Sequence, residues 1–251
     1  FIGDVPKSVS NEAIISSSSR TSTAEALRIV RTNLEFLLNE VPEGVAKTIF
    51  LTSTFPKEGK TFISVNLAST IALSDKKVLL LGLDIRNPKL EEYLDVPKVG
   101  VTNYLASKDH KDSADFLTKV EGFSNFYVMP AGVIPPNPAE LLMGKKVGEL
   151  FEKLKQEFDY IIVDTAPVSL VTDTLLISKY ADAFVYVTRA NYLDKRMLTL
   201  PEKLYQEKKL PNMSILINDT DSTKGYGYGY GYGYGYGVEV EKKSFWKRFF
   251  K

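Results

Sequence analysis

The feature that most constrains the fold of this chain is the stretch IFLTSTFPKEGKT at residues 49–61, where an apolar segment runs into a tight turn. The apolar segment predicts a buried strand, and residues 62–73 predict the helix that follows the turn. A helix that begins at Gly59 or Lys60 presents unpaired backbone N–H groups and the positive end of its dipole. An anion can satisfy those groups, and Gly59 lets it approach the backbone closely. The stretch therefore predicts a phosphate-binding loop.

The loop matches the nucleotide-binding pattern G-x-x-x-x-G-K-[ST] except at its first position, where Thr54 replaces a glycine. In that pattern Lys60 would reach the β- and γ-phosphates, and the Thr61 hydroxyl would ligate the Mg²⁺ that bridges them. A bare strand-to-helix turn is the alternative interpretation. The predicted nucleotide-binding residues are Thr54, Phe55, Pro56, Lys57, Glu58, Gly59, Lys60, Thr61, Phe62 and Asn218.

Acidic residues follow two other apolar strands. The run at residues 78–83 leads to Asp84 and Arg86, and the run at residues 160–163 ends at Asp164. Alternating strands and helices predict an α/β fold with a mostly parallel sheet and helices on both faces. Ligands bind such sheets at the carboxyl ends of the strands, so we expect all three side chains at the site. Asp164 has the pattern of a Mg²⁺-site carboxylate that acts through a water ligand.

Simpler roles are open for two of these polar residues. Asp84 can merely cap the turn that follows its strand. Asn218, at the end of the last predicted strand, can hydrogen-bond an adenine edge, or it can be a buried or turn-forming asparagine.

The N-terminal part predicts a connector followed by a helix. Residues 1–21 mix Ser-rich, Pro and Gly positions and predict an extended connector rather than a core element. Ser22 is expected to cap the helix, with Glu25 completing a capping box. Glu25, Arg28 and Arg31 fall three residues apart and form a charged ridge. That ridge can pair with a neighbouring subunit or simply face water.

The C-terminal part, residues 222–251, has an unusual composition. Gly and Tyr alternate from Gly225 to Gly237, which predicts a flexible, exposed tether. A low-complexity adhesive segment is the alternative. The end, from Lys242 to Lys251, interleaves basic and aromatic residues and can rest on an anionic membrane surface. The tether carries the phenols of Tyr226, Tyr228, Tyr230, Tyr232, Tyr234 and Tyr236.

Composition excludes several other functions. The net charge is +1, so bulk charge favours no class of partner, and we expect no nucleic-acid partner. The absence of cysteine excludes disulfides, thiolate catalysis and thiolate metal sites. The lone histidine, His110, lies in a polar run and predicts a solvated loop residue. No apolar run approaches the roughly 20 residues that cross a bilayer, and no signal peptide is present.

Together these features resemble the bacterial tyrosine kinases (BY-kinases) that control capsule and exopolysaccharide export. The resemblance rests on residues 52–61 as the Walker A loop, 79–86 as the Walker A′ strand and 161–167 as Walker B. It also rests on the Glu25-x-x-Arg28-x-x-Arg31 oligomerisation motif and on the tyrosine cluster. The resemblance implies a P-loop sheet related to the ParA and MinD ATPases, spanning residues 22–221. It further implies ring oligomers in which the tail tyrosines are phosphorylated by a neighbouring subunit.

The resemblance also implies residue roles and partners. Lys60 would neutralise the phosphates of ATP, Thr61 and Asp164 would hold Mg²⁺, and Asp84, with Arg86 beside it, would orient or deprotonate the acceptor phenol. The expected partners are further copies of the chain, a protein tyrosine phosphatase, and polysaccharide export and polymerisation proteins. Residues 1–7 look like a segment just after a removed transmembrane helix, so we expect attachment to the cytoplasmic face of the bacterial inner membrane.

Two residues depart from the family pattern. Gly82 stands where the usual Asp-x-Asp-x-Arg begins, and Lys57 replaces a usual glycine in the loop. Loss of the first carboxylate can weaken Mg²⁺ binding, or Asp84 and Asp164 can suffice. We therefore keep two alternatives to the autokinase: a nucleotide-gated pseudokinase scaffold of the export machinery, and a ParA-like ATPase with water as acceptor. The tyrosine tail argues against the ATPase.

Overall fold

The structure is a computed structural model that describes residues 1–8, 14–107 and 112–221. Its centre is an eight-stranded sheet with the strand order β1-β8-β7-β2-β6-β3-β5-β4. The strands are β1 (Gly3–Pro6), β2 (Lys47–Ser53), β3 (Val78–Leu83), β4 (Thr118–Lys119), β5 (Phe126–Met129), β6 (Tyr160–Thr165), β7 (Ala183–Arg189) and β8 (Met213–Thr220). The α-helices are α1 (Ser22–Leu37), α2 (Lys60–Ala72), α3 (Val101–Ala106), α4 (Pro138–Met143), α5 (Lys145–Glu157), α6 (Asp173–Ile177) and α7 (Thr199–Gln206).

The predicted fold class is confirmed. All neighbouring strands pair in parallel except β4 and β5, which pair antiparallel at one end of the sheet. Every residue of β3 and β6 is buried, which explains their continuous apolar sequences. One core cluster packs α1 and α2 against the sheet, and a second packs α5 and α7 against its other face. Both faces of the sheet are therefore covered by helices.

The prediction that residues 1–21 form no core element is wrong for β1. This strand pairs in parallel with β8, and Ile2 and Val5 are buried against α1. A four-residue strand that contains Gly and Pro gives almost no alternating pattern, so its sequence resembles a connector. Only the tertiary contact with β8 reveals its role.

The predicted capping box at the start of α1 is also wrong. Thr21 is the N-cap, and its hydroxyl accepts a hydrogen bond from the backbone N–H of Ala24 at 3.2 Å. Ser22 is the first helical residue, and the Glu25 side chain instead pairs with Arg28. Two adjacent hydroxyl residues can both serve as a cap, and the sequence alone does not decide between them.

Some predictions fall on residues outside the described ranges. These are the tail at residues 222–251, with its six tyrosines, and His110. The predicted boundaries of the connector at residues 1–21, the P-loop domain at residues 22–221 and the tail at residues 222–251 likewise stay predictions. Within the described part of the chain, no helix is long and apolar enough to cross a membrane.

Candidate active site

The predicted phosphate loop and two acidic residues meet at one edge of the sheet. Strand β6 lies between β2, which leads into the loop, and β3, which leads to Asp84. Because the three strands are parallel, their carboxyl ends share this edge. They open into a cavity of about 510 Å³ whose lining includes Lys60, Thr61, Asp84, Arg86 and Tyr93.

Lys60 is the centre of a buried polar cluster. Its Nζ lies 3.0 Å from Oδ1 of Asp164 and 3.2 Å from Oδ2 of Asp84, and all three side chains are at most 9% exposed. The Thr61 hydroxyl donates to Oδ2 of Asp164 at 2.9 Å. The Ser64 hydroxyl lies 3.2 Å from Oδ1 of Asp164, a contact that the sequence analysis missed. Ser64 stands one turn after Lys60 on α2, and that spacing was the available signal.

The charges in this cluster are not balanced. Burial opposes the charge on Lys60, but the Asp164 and Asp84 carboxylates outweigh it and raise the pKa of the ammonium above its usual value. Burial also raises the pKa of Asp164, and Lys60 offsets only part of this effect. One ammonium faces two carboxylates, so the cluster has room for a further positive charge. The oxygen donors of Asp84, Asp164 and Thr61 are of the kind that Mg²⁺ prefers.

Gly82 is required by close packing in this structure. A Cβ atom there would lie 2.9 Å from the backbone nitrogen of Ala131, 3.0 Å from Cδ1 of Leu90 and 3.3 Å from the carbonyl carbon of Pro130. The space beside Asp164 that a carboxylate at position 82 would need is therefore filled by apolar and backbone atoms. Among the described residues no cluster of three or more His, Cys, Asp or Glu is placed to hold a metal.

The backbone of the phosphate loop is held from outside by side chains. Each carbonyl oxygen from Thr54 to Glu58 accepts a hydrogen bond from the side chain of Ser169, Ser53, Tyr192, Arg189 or Asn218, in that order. These side chains fix the turn that leads into α2, and no side chain of the described residues caps the first backbone N–H groups of that helix, which are therefore available to an anion. This arrangement supports the predicted phosphate-binding loop over a bare turn.

Two loop residues have left-handed backbone conformations. Gly59 has a φ of 90°, and a Cβ atom there would lie 2.1 Å from Nδ2 of Asn218, so only glycine fits. Lys57 has a φ of 69°. This conformation costs a residue with a Cβ atom about 1–2 kcal/mol. The departure from the family's glycine at position 57 therefore carries an energetic cost that other contacts must offset.

Thr54 occupies the position of the missing first glycine without disturbing the loop. Its side chain is buried, and its hydroxyl lies 2.9 Å from the phenol oxygen of Tyr186. Burial raises the pKa of Tyr186 to about 12, so the phenol keeps its proton. Nearby, Oε2 of Glu58 accepts the backbone N–H of Phe55 at 2.7 Å, and burial raises the pKa of this carboxyl. The Thr–Tyr pair accounts for the tolerance of a side chain at position 54.

The other predicted site residues have partners of their own. Arg86 forms a two-pronged ion pair with Asp173, with contacts of 2.7 and 3.0 Å, and Asp173 is buried at the start of α6. Asp84 also accepts the backbone N–H of Asn87 at 3.1 Å, so it caps a turn as well as facing Lys60. Asn218 donates to the Glu58 carbonyl at 3.0 Å. The buried role for this asparagine, rather than the adenine contact, is the one with a partner in the structure.

The predicted charged ridge on α1 is largely used within the chain. Arg31 turns inward and donates to the carbonyl of Thr70 on α2 at 3.1 Å. Arg28 pairs with Glu25 and also donates to the carbonyl of Ser19 at 3.0 Å. Arg31 therefore contacts α2 of the same chain, and the oligomerisation role of Glu25, Arg28 and Arg31 stays a prediction. Glu25 and Arg28 keep side-chain exposures of 51% and 30%.

The loop–helix geometry and the acidic cluster define a P-loop nucleotide-binding protein. A family profile described as "AAA domain" matches residues 46–196. Tyrosine-protein kinase wzc of Salmonella typhimurium is 36% identical over 166 residues, which cover 66% of this chain and 22% of that protein. Tyrosine-protein kinase CpsD of Streptococcus agalactiae is 31% identical over 203 residues, which cover 80% of this chain and 85% of that protein. The chain belongs to the family of bacterial tyrosine-protein kinases.

Solved structures agree with this assignment. The kinase domain of the Escherichia coli tyrosine kinase ETK superposes with a TM-score of 0.76 at 28% identity, covering 92% of this chain and 94% of that domain. MinD of Pyrococcus horikoshii superposes with a TM-score of 0.55 at 20% identity. The match covers 69% of this chain and 70% of the MinD chain. The second likeness shows a shared fold alone, as predicted. The chain spans only 22–27% of the length of the first kinases that it matches.

Proposed function

We propose that the chain is the kinase domain of an ATP-dependent protein-tyrosine autokinase that phosphorylates the tail tyrosines Tyr226 to Tyr236. The observation that carries this proposal is the buried cluster of Lys60, Asp84, Asp164 and Thr61 beside the phosphate loop. The position of the residues that precede the tail also supports this proposal. Strand β8 ends at Thr220 beside the loop that Asn218 contacts, and the Gly–Tyr segment follows within a few residues.

In this proposal the residues act mainly by positioning and by charge stabilisation. Bound Mg·ATP would supply the phosphoryl group, with ADP as the leaving group, and Mg²⁺ would supply the positive charge that the two carboxylates lack. Thr61 and Asp164 would hold the metal, and Lys60, on its flexible stem, would turn from the carboxylates to the phosphates. Asp84 is then free to accept the proton of an acceptor phenol. Arg86, held by Asp173, would fix the acceptor side of the cavity.

A second candidate function is a nucleotide-gated scaffold in which phosphotransfer is vestigial. Gly82 is the observation that favours it, because the packing around this glycine leaves no space for the family's first carboxylate. Both candidates require nucleotide binding, so phosphate on the tail is the property that separates them.

Incubation of the full chain with Mg·ATP is expected to place phosphate on one or more of the tail tyrosines. The measurement is mass spectrometry of tail peptides, together with a binding titration of the nucleotide. Asp84→Asn is the matched control. It removes the proton acceptor and is expected to abolish the modification, while the fold is kept. Nucleotide binding without any tail phosphate in the unaltered chain would favour the scaffold.

We further propose that phosphorylation occurs in trans within a ring and regulates synthesis and export of capsular or exopolysaccharide. The similarity to tyrosine-protein kinases, the Glu25-x-x-Arg28-x-x-Arg31 motif and the partly exposed Glu25–Arg28 pair support this proposal. A protein tyrosine phosphatase would reset the tail, and polysaccharide export and polymerisation proteins would be partners. The site of action would be the cytoplasmic face of the inner membrane, with the basic and aromatic C-terminal end near its surface.

The double variant Glu25→Ala with Arg28→Ala is expected to lower the oligomer mass in light scattering to that of a monomer. Arg31 is left unchanged because its bond to Thr70 supports the packing of α1 on α2. The matched control removes another charge pair, Lys203 and Glu207 on and beside α7, by the same substitutions. An unchanged mass of the α1 variant, or a monomeric unaltered chain, would contradict the ring.

A further inference from the structure

Arg189, the last residue of β7, connects the phosphate loop to β8. Its Nη1 donates to the carbonyl oxygen of Lys57 at 3.1 Å. Its Nε and Nη2 lie 2.9 and 2.8 Å from Oδ2 of Asp219, and the guanidinium carbon lies 5.5 Å from the centre of the Tyr192 ring. The guanidinium is thus fixed by an anion and an aromatic ring while it donates to the loop.

The hydrogen bond from Arg189 reaches the phosphate loop at Lys57, the residue whose backbone conformation is strained. Lys57 has a Cβ atom in the left-handed region, where glycine is normally found. Its carbonyl is held by Arg189, and the preceding carbonyl, of Pro56, is held by the Tyr192 hydroxyl at 3.2 Å. Without these two bonds Lys57 is expected to relax toward a negative φ, which would turn the neighbouring peptide groups of the loop.

We propose that Arg189, oriented by Asp219, is a positioning residue that keeps the phosphate loop in its nucleotide-binding shape despite the lysine at position 57. The proposal rests on the nucleotide binding proposed above and assigns Arg189 no contact with the reacting atoms. Arg189 would compensate for the loss of glycine in this chain. We therefore expect removal of Arg189 to lower nucleotide affinity less when position 57 is glycine than when it is lysine.

The solvent exposure of the Arg189–Asp219 ion pair distinguishes a role in positioning the loop from a role in stabilising the fold. The side chains of Arg189 and Asp219 are 37% and 21% exposed, and ion pairs with this exposure contribute little to global stability. Loss of Arg189 should therefore leave the unfolding temperature close to that of the unaltered chain. The loss should be seen in nucleotide affinity, because the loop shape decides how many N–H groups face the phosphates.

The test is a double-mutant cycle on the dissociation constant of a fluorescent ADP analogue with Mg²⁺, measured on the full chain. Arg189→Ala is expected to raise that constant about tenfold, as expected for loss of a hydrogen bond to a charged group. Asp219→Asn should shift it in the same direction by a smaller factor, because asparagine tolerates the left-handed φ of 61° at this position. In a Lys57→Gly background, Arg189→Ala should raise the constant by less than about threefold, since glycine adopts positive φ without strain.

Arg196→Ala is the matched control, because Arg196 pairs with Asp194 on the surface and makes no contact with the loop. It should leave the dissociation constant unchanged. Two results would overturn the proposal: an Arg189→Ala chain that binds like the unaltered one, or an equal loss of affinity with lysine and with glycine at position 57. The second result would mean that Arg189 attracts the phosphates by charge alone. If the unaltered chain does not bind the analogue, nucleotide binding itself, and with it the proposed function, is wrong.

Discussion

Lys60→Met is expected to lower phosphate incorporation into the tail by about two to three orders of magnitude, the usual effect of removing a preorganised charge from a transition state. Lys60 is the only cation within reach of both Asp84 and Asp164 among the described residues. If Lys60 binds the phosphates as proposed, its loss removes the buried ammonium that would neutralise them. Mass spectrometry of the tail over a time course gives the rate directly.

The same substitution should also destabilise the chain in the absence of metal. It leaves two buried carboxylates without a counter-charge, and breaking such a pair costs about 3–5 kcal/mol of unfolding free energy near pH 7. The pKa of Asp164, already raised by burial, should rise further without Lys60. A raised carboxyl pKa in the folded state means that stability falls as pH rises. The variant should therefore recover stability as pH is lowered from neutral toward the ordinary range of a carboxyl group, and also on addition of Mg²⁺.

Lys155→Met is the matched control, because Lys155 pairs with Asp182 in a partly exposed position 3.6 Å away. It should leave both phosphate incorporation and the pH dependence of unfolding nearly unchanged. A Lys60→Met chain that transfers phosphate at the original rate would refute the role of Lys60. A Lys60→Met chain whose thermal unfolding shows no pH-dependent change would refute the charge imbalance.

Gly82→Asp, which restores the family's carboxylate, is expected to lower the unfolding free energy by roughly 3 kcal/mol or more without divalent cations. Its Cβ atom would meet the backbone of Ala131 at 2.9 Å, so the segment from Pro130 to Ala131 must move. Its charge would add a third carboxylate beside Asp84 and Asp164 with one ammonium to balance them. At roughly 2–4 °C per kcal/mol, the loss is measurable by calorimetry.

Two further variants separate the contribution of the steric clash to this loss of unfolding free energy from that of the added charge. Gly82→Ala keeps the clash without the charge, so its loss should be smaller and independent of Mg²⁺. Gly148→Ala, within α5, would place its Cβ 3.2 Å from the phenol oxygen of Tyr180 and meet no backbone atom of the described residues as close as at position 82, so it should cost less than Gly82→Ala. A Gly82→Asp chain as stable as the original in the absence of cations would show that the packing yields and that the carboxylate is tolerated.

Most of the fold and the centre of the site could be predicted because their signals are local. The strand from Val78 to Leu83 has the predicted bounds, and Asp84 and Asp164 meet because parallel strands bring their carboxyl ends to one edge. The contact of Arg189 follows the same rule, since this residue ends β7 at that edge, yet no motif singled it out. The roles of these residues in catalysis stay predictions.

The features that could not be predicted depend on contacts between residues that are far apart in the sequence. Asp173 is 87 residues from Arg86, and its position at the start of α6 gave only the signal of an ordinary helix terminus. The inward turn of Arg31 depends on where α2 lies. The packing that excludes a side chain at Gly82 comes from residues 90, 130 and 131, which are 8, 48 and 49 residues further along the chain.

The first strand has a consequence for solubility. Strand β8 carries Asn218 and Asp219 and leads into the tail, and β1 covers the hydrogen-bonding edge that β8 would otherwise present. Strand β1 is short and ends in proline, two properties that discourage pairing with a strand of another molecule. Among the described strands, β1 therefore protects the β8 edge of the sheet against edge-to-edge aggregation.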